Sequence, residues 1–378
     1  MTPVIGFSYP HFIGKGYHAC LTCHYNPFGN GPLNDYGRGV SATGLSGRLF
    51  MGEDVSDQDL SNRSGFLLNN PQKMWLKPAL DYRRAVLDTD IRTDDGEPRY
   101  ITMVADVSLS AVFGKAKDWI VTMTYGMVPS DSIPGGKAEY DVEAGDDLTF
   151  SREHYIGKRI TPEVGVYLGK MDKVFGIRVP DHTAFSRSVT SNNQYSSTHG
   201  AVVHYGKQSF DLGVQYFIGD LEKEEEYRSS GLATKFEYSI TKDVRLGVSY
   251  QNETFDNDSK LDSKAFIFKS AIGEGSSLMA EYGFQDRYDT EGEATPQQYF
   301  FMQNHILLTK GLYYLTTFEQ YNANTEQTNN IYRLSPGVQW FPLQRFELRA
   351  DLINQKTIST TSATRDEWMF LGQVHIWL

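Results

Sequence analysis

From about Trp75 onward, apolar and polar side chains alternate with a period of two residues, and this feature most constrains the fold. A strand sends successive side chains to opposite faces, so a period of two marks a sheet whose faces meet unlike surroundings. The last segment is the clearest. Trp368, Phe370, Gly372, Val374, Ile376 and Leu378 share one face, and Met369, Leu371, Gln373, His375 and Trp377 share the other. Phe210, Leu212, Val214, Tyr216 and Ile218 alternate in the same way with Asp211, Gly213, Gln215, Phe217 and Gly219. The theme returns at 244–251, 278–285 and 346–352. No run of about 20 apolar residues exists, so the chain has no transmembrane helix.

The connectors alternate too. Tight turns fall at 207–208, 241–243, 273–275, 309–311 and 341–344, and longer polar stretches at 222–228, 256–261, 290–296, 322–329 and 356–365. About sixteen strands are expected, an even number that allows a sheet to close on itself and remove its edges. They begin near Trp75, Tyr100, Asp118, Arg152, Glu163, Thr198, Gln208, Ser229, Val244, Leu261, Ser277, Gln297, Leu312, Asn329, Arg345 and Asp366. This long-short rhythm resembles the porin-type outer-membrane barrels of Gram-negative bacteria, and the resemblance covers about Trp75 to Leu378. It implies an all-β fold, a transmembrane antiparallel β-barrel over 73–378 with outer-membrane lipid around it. A barrel of this size is expected to leave an aqueous lumen. Ile376 and Leu378 resemble the C-terminal targeting strand of such barrels, although these usually end on an aromatic residue.

Residues 1–72 show no sustained period and form the second unit, with helical turns expected at 33–36 and 57–60. The chain's two cysteines both lie here, in Cys20-Leu21-Thr22-Cys23-His24. Thiols three residues apart reach the two vinyl groups of one haem, and the adjacent His24 puts an imidazole nitrogen on the iron. Zinc needs two further soft ligands, and no other cysteine exists. A thioredoxin-like pair needs an α/β context that is absent, and a disulfide across two residues leaves His24 unexplained. The segment thus resembles a mono-haem c-type cytochrome, with one covalent haem c on Cys20, Cys23 and His24. The resemblance implies that a proline carbonyl, from Pro27 or Pro32, accepts the proximal histidine's hydrogen bond. His11, His18 and Met51 are the candidates for a sixth iron ligand.

The alternation lapses over 171–197. Porins commonly fold one long loop into the lumen, and Arg178, His182 and Arg187 are expected to form a positively charged constriction there. The acidic stretch 128–149 reads as a solvated loop. A net charge of -11 argues against a nucleic-acid partner. No triad, phosphate-cradling loop or metal-ligand helix suggests an enzyme. The leading expectation is a haem-bearing barrel in electron transfer at or across the outer membrane, near in kind to porin–cytochrome conduits. Periplasmic or extracellular cytochromes would then be partners, and a homo-oligomer, a trimer by resemblance, is expected. The alternative is a solute-diffusion porin whose haem segment is a structural plug, redox sensor or gate. Haem c is attached outside the cytoplasm, so the N-terminus is expected on the periplasmic side. The opening residues lack the basic and apolar regions of a signal peptide, which is expected to precede them.

Overall fold

The computed structural model describes residues 10–49, 51, 55–89, 91–92, 97–132, 138–143, 145–181, 183–360 and 364–378. The N-terminal part holds a 3-10 turn over Pro10–Lys15 and two helices, α1 (Asp35–Gly44) and α2 (Asp57–Asn62). The strands are β1 (Leu76–Asp88), β2 (Arg99–Phe113), β3 (Trp119–Val128), β4 (Leu148–Arg159), β5 (Val164–Met171), β6 (Thr198–Gly206), β7 (Phe210–Phe217) and β8 (Ser229–Ser239). They continue with β9 (Val244–Phe255), β10 (Lys260–Gly273), β11 (Ser276–Tyr288), β12 (Ala294–Thr309), β13 (Leu312–Asn322), β14 (Asn329–Leu343), β15 (Phe346–Ser359) and β16 (Arg365–Trp377). One short helix, α3 (Phe185–Ser188), lies between β5 and β6.

Each strand pairs antiparallel with its sequence neighbours, and β1 pairs with β16 to close the barrel. Closure runs from Asp81 opposite Trp377 to Asp88 opposite Phe370. Leu80 and Leu378 exchange backbone hydrogen bonds of 3.1 and 2.9 Å at the seam. The expected strand starts agree with the structure to within a few residues. The largest difference is β4, which begins at Leu148 and not near Arg152. Register shifts there: Thr124 pairs with Glu153 and Tyr125 with Ser151, so Arg152 is bulged out of the ladder. A bulge adds one residue to one strand and breaks the period of two.

The outer face is apolar, with Leu109, Met123, Leu168, Val248, Phe266 and Val338 among its exposed side chains. The inner face is polar and buried: Ser110, Glu153, Gln251, Glu253, Glu281 and Gln303 are 0–2% exposed. Buried polar groups facing inward show that other parts of the chain occupy much of this lumen, which the strand number alone implied would be aqueous. Two segments fill it. The 3-10 turn at Pro10–Lys15 contacts β10, β11 and β12, and Phe12 packs with Tyr313, Leu315 and Phe341. The connection 172–197 between β5 and β6 folds inward, and its Ile177, Val179 and Ala184 pack with Ile13, Ile267, Met279 and Phe301.

Candidate cofactor site inside the barrel

Cys20–Thr22 form one 3-10 turn, in which the Cys20 carbonyl accepts from the N–H groups of Cys23 at 3.1 Å and His24 at 3.0 Å. The chain then runs out and back, with an antiparallel bridge between His24 and Leu33. Gly29, Asn30 and Gly31 take positive φ at its tip, a conformation that glycine adopts without steric cost. α1 follows, capped by Asn34, whose Oδ1 accepts from the Gly37 N–H at 2.9 Å. Its Nδ2 donates to the Thr22 carbonyl at 2.9 Å, and its own N–H donates to the Cys23 carbonyl at 2.8 Å. Asn34 therefore fastens the cysteine turn to the start of α1.

His24 Nδ1 lies 3.2 Å from the Gly31 carbonyl and donates to it. The acceptor is thus Gly31 and neither Pro27 nor Pro32; the Pro32 carbonyl accepts instead from the Tyr25 N–H at 3.4 Å. With the proton on Nδ1, Nε2 keeps its lone pair, and it is buried with no hydrogen-bond partner among the described residues. Burial pushes the His24 pKa down to about 4, so the ring is neutral at pH 7, as a metal ligand must be. Burial also raises both cysteine pKa values, which keeps the side chains as thiols.

Cys20 and His24 line one cavity between the N-terminal segment, the connection 172–197 and the wall around β1, β2 and β16. An unpartnered imidazole nitrogen, a thiol beside it and a cavity facing both fit one covalently attached haem. Cys23 is fully buried under α1, where a Cβ on Gly37 would stand 2.8 Å from the Cys23 Cβ. A second thioether link requires that side chain to turn out from beneath α1.

The structure does not bring the sixth-ligand candidates to this cavity. His11 packs against His305, Tyr313 and Phe341, with ring centroids 4.3, 4.0 and 5.6 Å away. His18 Nε2 donates to the Lys242 carbonyl at 3.1 Å. Met51 bonds back to Arg48, near the turn between β14 and β15. His375, not singled out in the sequence, does line the cavity, but Asp81 at 2.8 Å and Glu347 at 3.0 Å hold its two ring nitrogens. Among the described residues no group of three or more His, Cys, Asp or Glu side chains is arranged to hold a metal ion.

The expected constriction is corrected in part. Arg178 and Arg187 do lie inside the barrel, and both line the cavity that His24 faces. They do not form a ring of open charge. Arg178 is paired with Asp172, and Arg187 donates to the carbonyls of Val179 at 2.6 Å and Asn192 at 3.0 Å. His182 lies outside the described residues. Inward-facing strand residues pin the connection: Lys173 to Glu253 at 2.5 Å, the Val174 N–H to Gln215 at 2.8 Å and the Phe185 N–H to Glu319 at 2.6 Å. In 128–149, Asp141, Glu143, Asp146 and Asp147 are exposed, as a solvated loop requires.

No family model matches the chain, and no curated protein matches it. Solved structures do. An anion-selective porin from Comamonas acidovorans is similar over 80% of this chain and 99% of its own, at a TM-score of 0.60 and 10% identity. OprB of Pseudomonas putida is similar over 89% of this chain and 100% of its own, at 0.61 and 10%. The trimer form of OmpT of Vibrio cholerae is similar over 80% and 99%, at 0.59 and 10%. The fold is a closed sixteen-strand antiparallel barrel of the porin type.

Proposed function

We propose that this chain is an outer-membrane porin-type channel whose lumen is closed down by a haem-holding plug. One observation carries the reading: the segment bearing Cys20, Cys23 and His24 packs against the inner wall of the barrel and presents an unpartnered imidazole nitrogen to an internal cavity. Support for the membrane setting comes from the apolar outer face and from the porin neighbours. The trimer form of one neighbour supports a homo-oligomer. The short turns and the N-terminal segment share one end of the barrel, which is the periplasmic end in such barrels.

His24 would hold the iron, and Cys20 and Cys23 the macrocycle. When bound, haem c supplies one-electron redox chemistry. The chain's own part is to fix the His24 tautomer through Gly31, to bury the site, and to fill the lumen around it.

Planar-bilayer conductance tests the plug. The full chain should conduct far less than its variant lacking residues 10–49, because the β1–β16 seam closes without that segment. Equal conductance would refute a plug. A second reading, electron transfer with other haem proteins, draws on the cavity's extent. It runs from Trp377 and Leu378 at the barrel's end to Gln194 in the connection 172–197. One haem does not bridge an apolar belt about 25 Å tall, so this reading requires partner haems.

A further inference from the structure

The cavity beside His24 is rich in arginine. Six guanidiniums line it. Arg152 is held by Asp106, with Nη2 donating at 3.1 Å, and Arg178 is paired with Asp172. The other four donate to backbone carbonyls: Arg38 to Leu33 and Pro78, Arg83 to Pro180, Arg187 to Val179 and Asn192, and Arg345 to Arg63 and Gly65, and Arg83 Nη2 also lies 3.2 Å from His375 Nδ1. Each of these four is 7–8% exposed. Asp81 is engaged by His375, and Asp181 faces Arg187 from the same connection. Carboxylates stand near three of these four: Asp35 by Arg38; Asp81, Asp106 and Glu347 by Arg83; and Asp181 by Arg187. Arg345 is instead met by carbonyls, which are dipoles and not counter-ions. Burial pushes Arg187 and Arg345 down to about 10.

Among the guanidiniums that line the cavity, two buried nitrogens have neither a hydrogen bond nor an ion pair among the described residues: Arg83 Nε and Arg345 Nη1. They belong to one sector of the wall. Arg83 pairs in register with His375, and the Arg345 carbonyl accepts from the Trp377 N–H at 3.2 Å, so the two arginines flank β16 from its two sides. Haem is an apolar plane with two carboxylates on one edge. Charge-assisted bonds from guanidinium to carboxylate are among the strongest that a protein makes.

We propose that Arg83 and Arg345 receive the two carboxylates of the haem and so set which way its plane faces in the cavity. This rests on the haem reading above.

Two measurements test it. The full chain carrying Cys20→Ala and Cys23→Ala is titrated with haemin and with haemin dimethyl ester, whose carboxylates are blocked, and followed by Soret absorbance. Haemin should bind about tenfold tighter or more, and Arg83→Gln or Arg345→Gln should remove most of that advantage. Equal binding of acid and ester overturns the proposal. In the covalently loaded chain, Arg83→Gln and Arg345→Gln should keep the haemochrome but lower the midpoint potential, with Arg→Lys at each site restoring it. Unchanged potentials in both Gln variants overturn the proposal. A wild-type chain that never acquires covalent haem refutes the haem reading instead, and the ester comparison distinguishes that failure from this one.

Discussion

Asn34 holds Thr22 and Gly37 at once, donating from Nδ2 to the Thr22 carbonyl at 2.9 Å and accepting from the Gly37 N–H at 2.9 Å. One amide thereby caps a helix and clasps the cysteine turn. Asn34→Ala should cost about 1–2 kcal/mol of local stability. Maleimide labelling of Cys23, fully buried in the folded chain, should then quicken in haem-free protein. Unchanged labelling would show that the clasp is dispensable.

Gly37 permits a close approach. A Cβ there would stand 2.3 Å from the Cys23 carbonyl oxygen, and a backbone atom cannot swing aside. Gly37→Ala should therefore push α1 off the cysteine turn at about 1–3 kcal/mol. The yield of covalent haem per chain should fall, while the strand signal in far-ultraviolet circular dichroism stays the same.

The connection 172–197 stays in the lumen through the Lys173–Glu253 pair, whose side chains are 2% and 1% exposed. Glu253→Gln leaves a buried ammonium without its counter-ion, a change that costs about 3–5 kcal/mol. Bilayer conductance should rise, and trypsin should cut within 172–197. A variant with wild-type conductance and cleavage would mean that the other anchors, Gln215 and Glu319, suffice.

Acid should loosen the N-terminal segment. Burial pushes His11 down to about 3 from 6.5, partly opposed by Glu347, while Lys15 and Arg349 act with burial. His305 packs beside it. The docked ring refuses a proton that the free segment accepts, so docking is complete above pH 6.5 and weakens progressively as pH falls from there towards 3. Conductance should rise across that window, and His11→Gln should flatten the rise. A pH-independent wild type would contradict this.

Most strands were legible because lipid and lumen impose opposite demands on alternate residues, as at Val374 and His375, 38% and 3% exposed. β4 was misplaced because the bulge at Arg152 breaks that alternation locally. The CxxCH spacing exposed Cys20, Cys23 and His24, since their chemistry is local in sequence. That 171–197 folds into the lumen was legible from the lapse in alternation there, but the packing that fills the lumen was not. It rests on isolated apolar side chains, Phe12, Ile13, Phe28 and Ile177, set in polar and glycine-rich segments without a period. Arg178 and Arg187 were singled out with that loop, but Arg38, Arg83 and Arg345 were hidden as cavity residues, because they come to one cavity only when the barrel closes around α1. Asn34 did leave a signal: an Asn directly before Asp35, at the start of a helix.

The central claim is that Cys20, Cys23 and His24 hold one haem c within a porin-type barrel. The most direct measurement is a pyridine haemochrome spectrum of full-length protein extracted from outer membranes. One haem per chain with the spectrum of two thioether links, abolished by Cys20→Ala/Cys23→Ala, is the result expected. A folded, membrane-extracted barrel carrying no covalent haem, in cells that mature other c-type cytochromes, would contradict it.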